Sequence, residues 1–206
     1  TAGGDIGPEI WDANSAALAF SLTGHTQEVE DIDWSPDGKQ VATASIDSTV
    51  GFWDTQTGQL ARQLSDPRLY QPHSVDWSPD GTKLLSAGEN GYIMIWDAEA
   101  GTVSSALWVG EPLASAAWSP SGLRILVITR SLSVQVLTLD GARIISVPGV
   151  SAAWSADGTH LLVGGTNGSV TVWQAWQSVD ELLSFAQTCC MVQELTPEQR
   201  TQFGVK

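Results

Sequence analysis

The pentapeptide "WSPDG" stands at residues 34–38 and again at 77–81, "WSPSG" follows at 118–122, and "WSADG" at 154–158. The steps between the four Trp are 43, 41 and 36 residues. Such a repeat means that one supersecondary unit recurs, and that no single unit can bury its apolar face alone. A second series keeps step with the first: Trp53, Trp96, Leu137 and Trp173 each lie 19 residues after the Trp of their own unit.

Within a unit the pattern predicts short strands joined by tight turns. "VEDIDW" (29–34) is the first strand, "KQVATAS" (39–45) the second, "TVGFWD" (49–54) the third and "QLARQL" (59–64) a fourth. The Pro, Asp and Gly of "SPDG" supply the turn chemistry between the first two. The second unit gives 72–77, 82–88, 91–97 and 102–107 in the same way. Regular short strands with Gly/Asp/Pro turns predict an all-β protein, a β-propeller of four-stranded antiparallel blades.

These residues resemble the WD-repeat family of propellers from residue 1 to about 174. Trp-Asp at 11–12, 53–54 and 96–97, Gly24-His25, and the turn acids Asp5 and Asp47 carry the resemblance. It implies a hydrogen-bonded relay in the first full unit, made of His25, Ser45, Asp47 and Trp53. The other units depart from that pattern. Their turn positions hold Asn90, Ser131 and Asn167, and the third unit has Leu137 and Thr138 in place of Trp-Asp. Apolar packing is expected to replace the relay there. "WSPDG" is also similar to repeats of TolB-type periplasmic and peptidase-linked propellers, which lack regular Trp-Asp and Gly-His pairs.

The opening "TAGGDIGPEIWD" aligns with "TASIDSTVGFWD" and "SAGENGYIMIWD". Residues 1–22 are therefore expected to be the second half of an interrupted blade, 23–174 four repeats, and 175–206 a helical tail. About four and a half blades of a ring of about seven are expected. Further polypeptide, upstream or from another chain, would complete it. In the tail, Ser178 and Glu181 form a capping box. Helices are expected over 178–191 and 197–203, with Trp176 at the hinge. The tail, with its "LTPE" motif, is similar to the helical ends of bacterial STAND-class signalling proteins. Cys189 and Cys190 fit helical packing, because no second pair or nearby His gives zinc spacing.

The net charge of −14, with 9 Lys+Arg against 23 Asp+Glu, disfavours nucleic-acid and anionic-membrane partners. The longest apolar run, "LRILVIT", is too short to span a bilayer. Adjacent cysteines cannot staple distant segments, so the expected compartment is the reducing cytoplasm. No cofactor and no metal are expected.

Partner contacts are expected on one face of the propeller. The candidates are Glu28, Ile46, Tyr70, Glu89, Trp108, Arg130 and Thr166, from the turns before the third strands and the loops entering the first strands. A protein or peptide partner, with a basic one as an option, suits aromatic anchors among acids. Trp108 has a second reading, as filler for the space left by the missing His of unit three. A His-Ser-Asp triad would need an exposed Ser, and Ser45 falls on an inner strand. The chain is therefore read as a non-enzymatic sensor or scaffold propeller at the end of a larger bacterial signalling protein. The alternatives are an accessory propeller gating a hydrolase or peptidase elsewhere in the polypeptide, and an assembly component completed in trans.

Overall fold

The computed structural model describes residues 7–175. Asp5, the expected tail helices, Trp176 and the two cysteines lie outside the described residues.

Strands alternate with turns that the sequence builds locally. In the first full unit β3 (Val29–Trp34), β4 (Gln40–Ser45), β5 (Thr49–Asp54) and β6 (Leu60–Leu64) form an antiparallel meander in chain order. The second unit repeats it with β7 (Pro72–Trp77), β8 (Lys83–Gly88), β9 (Tyr92–Asp97) and β10 (Thr102–Trp108). The third uses β11 (Leu113–Trp118), β12 (Arg124–Thr129), β13 (Ser133–Thr138) and β14 (Arg143–Pro148). Before them β1 (Glu9–Trp11) and β2 (Leu18–Ser21) make a two-stranded sheet. After them β15 (Ser151–Trp154), β16 (His160–Gly164) and β17 (Val170–Gln174) make a three-stranded one. No described residue is helical. Residues up to Trp173 form one compact unit, and a second begins at Gln174.

Each "SPDG" turn closes on itself. Gly38 N–H donates to Ser35 C=O at 2.8 Å, and Ser35 Oγ donates to Asp37 Oδ1 at 2.8 Å. Gly38 has φ +70°, a left-handed conformation that glycine adopts without a Cβ clash. The carboxyl of Asp37 is held down at about 2, chiefly by the Lys39 amide and the Ser35 hydroxyl. The Trp-Asp acid works at the next turn. Asp54 Oδ1 accepts from the amides of Gln56 and Thr57 at 3.0 and 2.8 Å, fixing the corner between β5 and β6.

The middle strands are buried on both faces because neighbouring sheets stack face to face. Ala42, Ala44, Val50 and Phe52 of one sheet meet Val75, Trp77, Leu84, Met94 and Trp96 of the next. Phe52 stacks on Trp77 with centroids 5.2 Å apart and planes at 28°. Leu85, Ala87, Ile93 and Ile95 face Leu113, Trp118, Ile125, Val127 and Leu137 in the next interface. Each Val, Leu, Ile, Phe or Met among them contributes about 1.5–3 kcal/mol by leaving water.

The innermost strands are also joined by side chains. Asp31 and Asp33 on β3 accept from the amides of Val75 and Trp77 on β7, at 3.0 and 2.7 Å. Ser74 and Asp76 on β7 accept in turn from Ala116 and Trp118 on β11, at 2.9 and 2.6 Å. Burial raises the carboxyls of Asp31 and Asp33. Burial, with Asp33 and Asp31 close by, pushes Asp76 up to about 7 against the pull of the Trp118 amide.

Candidate functional site

The turn between β4 and β5 brings together three of the four expected relay residues and replaces the fourth. His25 Nδ1 lies 2.9 Å from Asp47 Oδ2, and His25 Nε2 lies 2.6 Å from Thr43 Oγ1. Trp53 Nε1–H donates to the same Thr43 oxygen at 2.8 Å. The expected hydroxyl, Ser45, is not in this chain of bonds. Ser45 is fully buried, donates to Gln27 C=O at 3.2 Å and accepts from the Asp47 amide. Register explains the correction. Trp53 pairs with Val41, Gly51 with Thr43 and Thr49 with Ser45, so Ser45 sits one step further along the same face than the indole reaches.

The bonds fix the direction of the protons. An ionised Asp47 only accepts, so His25 Nδ1 carries the hydrogen, and in the neutral ring Nε2 accepts from Thr43. Burial alone would raise the Asp47 carboxyl, but hydrogen bonds from Thr49, Thr26 and His25 outweigh it and lower it. Gly51 leaves the necessary space. A Cβ there would stand 2.7 Å from Thr43 Oγ1, 2.8 Å from Trp53 Nε1 and 3.0 Å from His25 Nε2.

The later units keep parts of this device. Trp96 Nε1 donates to Ser86 Oγ at 2.9 Å, the same ten-residue spacing as Trp53 and Thr43. In the third unit Gln135 takes the slot of Gly51, and its Nε2 donates to Glu111 Oε1 at 3.0 Å while Ser131 Oγ bonds Glu111 Oε2. That unit thus uses a substitute polar network, not apolar packing alone.

Three stretches, residues 17–54, 68–97 and 134–174, match the WD domain, G-beta repeat family and together make up just over half of the chain. The chain belongs to the WD40 family. It is 62% identical over 32 residues to a probable cytosolic iron-sulfur protein assembly protein 1 of Mycosarcoma maydis, covering 16% of this chain and 7% of that protein. It is 37% identical over 54 residues to Protein groucho of Drosophila melanogaster, covering 26% of this chain and 7% of that one. It is 40% identical over 50 residues to a component of chromatin assembly factor 1 of Gallus gallus, covering 24% and 9%. The matches span under a tenth of the length of each of these three relatives.

The partner-face candidates of this WD40 chain fall at the end of the sheets where β4 turns into β5 and β8 into β9. Tyr70 is 52% exposed, and its carbonyl accepts from the Glu89 amide at 3.1 Å. Trp108 is 68% exposed at the end of β10, opposite Tyr92. That exposure removes the space-filling alternative for Trp108. Glu28 and Thr166 are exposed and Ile46 is half-buried. Glu89 and Arg130 meet each other, with Arg130 Nε 2.7 Å from Glu89 Oε2. The residue that sequence reasoning missed is His73, whose Nε2 lies 2.8 Å from the same oxygen.

The hydroxyl beside His25 Nε2 is that of Thr43, which is fully buried and also accepts from Trp53 Nε1–H, so it is closed to a substrate, while Ser45 points elsewhere. Among the described residues no group of three or more His, Cys, Asp or Glu side chains could hold a metal ion. Among them, too, no helix is long and apolar enough to cross a membrane.

Proposed function

We propose that this WD40 chain is a non-catalytic protein-interaction scaffold whose partner docks on the face carrying Tyr70 and Trp108. One observation carries the reading. Two large aromatics, Tyr70 and Trp108, stand exposed at the end of the sheets that also carries Glu28, Glu89 and Glu111, and Trp108, at 68%, is the most exposed tryptophan among the described residues. Exposed aromatics ringed by polar groups are what protein recognition uses. The net charge of −14 favours a basic peptide or protein surface. Relatives named for assembly support a scaffold role.

The finer reading is a cytoplasmic sensor propeller at the end of a bacterial STAND-like signalling polypeptide, with the rest of the ring supplied by that polypeptide or another chain. It rests on the capping box and "LTPE" of residues 178–199, which lie outside the described residues.

The test is affinity capture on the immobilised chain and on a Tyr70→Ala/Trp108→Ala variant with an unchanged melting curve. Proteins retained by the wild type and lost from the variant support the reading. Equal retention by both sinks it.

A further inference from the structure

His73 on β7 sits between two carboxylates from different parts of the propeller. Its Nε2 is 2.8 Å from Glu89 Oε2, in the β8–β9 turn. Its Nδ1 is buried without a hydrogen bond and faces Glu30 Oε2 on β3 at 3.6 Å. Arg130, from the β12–β13 turn, places Nη2 3.0 Å from His73 Nε2 while its Nε holds Glu89. The strand paired with β7 adds no charge here, because Pro72 and Ser74 lie opposite Gly88 and Ala87. Ala114 takes the matching register position on β11.

A neutral imidazole has one donor and one acceptor. With two carboxylates on opposite sides, a neutral ring must turn a lone pair toward one of them. Arg130 Nη2 can donate to Nε2 only when that nitrogen is bare. Glu89 is served only when it carries hydrogen. The two partners of Nε2 therefore exclude each other. Charge adds a second argument. Glu30, Glu89 and Arg130 sum to minus one, and only an imidazolium neutralises the group.

We propose that His73 is a protonation-dependent latch on this face. As an imidazolium it ties β3 to the β8–β9 turn, and as a neutral ring it releases one of the two carboxylates. Histidine is the side chain that changes charge between about pH 5 and 8, so acidification closes the latch. The residue it steadies, Glu89, borders Tyr70, whose carbonyl is bonded to the Glu89 amide. A partner on the Tyr70/Trp108 face would therefore meet an ordered surface in acid and a looser one in base. That consequence rests on the proposed function; the latch itself does not.

The test uses the full chain without any partner. Long-range 1H–15N spectra of the histidine rings are recorded from pH 5 to 8.5, with amide hydrogen exchange of residues 89–91 corrected for intrinsic rates. Both His73 nitrogens should become N–H in acid, with several-fold greater protection of those amides at pH 5.5 than at pH 8. Glu30→Gln and Glu89→Gln, both at partly exposed side chains, should each reduce that ratio, and His73→Gln should abolish it. A His73 ring that keeps one neutral tautomer throughout would overturn the latch. So would a protection ratio that is unchanged in Glu30→Gln and Glu89→Gln, even if His73→Gln failed to fold. Loss of partner capture in the Tyr70/Trp108 variant is a separate result and bears only on the docking face.

Discussion

Trp53 and Thr43, ten residues apart, are joined by an indole N–H donating to a hydroxyl at 2.8 Å. That hydroxyl also meets His25 Nε2, so one oxygen satisfies two buried groups. Thr43→Val removes the oxygen without changing the volume much and leaves both groups unpaired. The expected cost is about 1–3 kcal/mol, read as a lower denaturant midpoint. The Trp53 indole proton should shift in the NMR spectrum, and Thr43→Ser should restore it. Ser45→Ala should leave that resonance in place.

Gly51 lies in the register position opposite Thr43. Gly51→Ala puts a methyl group into the space between Thr43, Trp53 and His25. Overpacking of this kind costs about 1–3 kcal/mol. Thermal melts should show the loss, and the indole resonance should move as it does in Thr43→Val. An Ala variant as stable as wild type would contradict the close approach.

Asp76 governs a pH dependence. Its folded pKa, about 7, lies above its ordinary value of 3.8. The folded chain therefore binds this proton more tightly than the unfolded one, and the stabilisation is full at low pH and is lost as pH rises from about 4 through about 7. Asp76→Asn keeps an oxygen for the Trp118 amide and removes the charge. It should stabilise the protein at pH 8 by about 1–3 kcal/mol and give no gain at pH 4. Equal melting shifts at both pH values would refute the assignment.

Buried and exposed aromatics should part company on truncation. Phe52 is almost fully buried against Trp77. Phe52→Ala should cost about 3–5 kcal/mol in chemical denaturation. Trp108→Ala, at a 68% exposed position, should stay within about 0.5 kcal/mol of wild type.

The strands and turns were legible because their chemistry is local. Pro, Asp and Gly fix the "SPDG" corners, and the short apolar runs between them mark strands buried on both faces. The relay was legible in His25, Asp47 and Trp53 but not in its hydroxyl. Ser45 and Thr43 share a face of β4, so only the pairing register separates them. The equal spacing of Thr43 to Trp53 and of Ser86 to Trp96 is the signal that selects the right one. His73 could not be read at all. It meets Glu89, 16 residues away, at the end of its own sheet and Arg130, 57 residues away, through the stacking of the next, and no repeat slot marks it. Glu89 and Arg130 were legible as face residues, but their pairing was not.

The carboxylate and hydroxyl acceptors on the innermost strands reach one way along the chain. Asp31, Asp33, Ser74 and Asp76 each hold the backbone of the sheet that follows. Ala117 occupies on β11 the position that Asp33 and Asp76 hold on β3 and β7, and it has no oxygen to offer β15. Sheets that touch only their neighbours separate one boundary at a time. Pulled from its ends, this array should tear along the boundary where β12 meets β15 before the three four-stranded sheets part from one another, detaching the β15–β17 sheet.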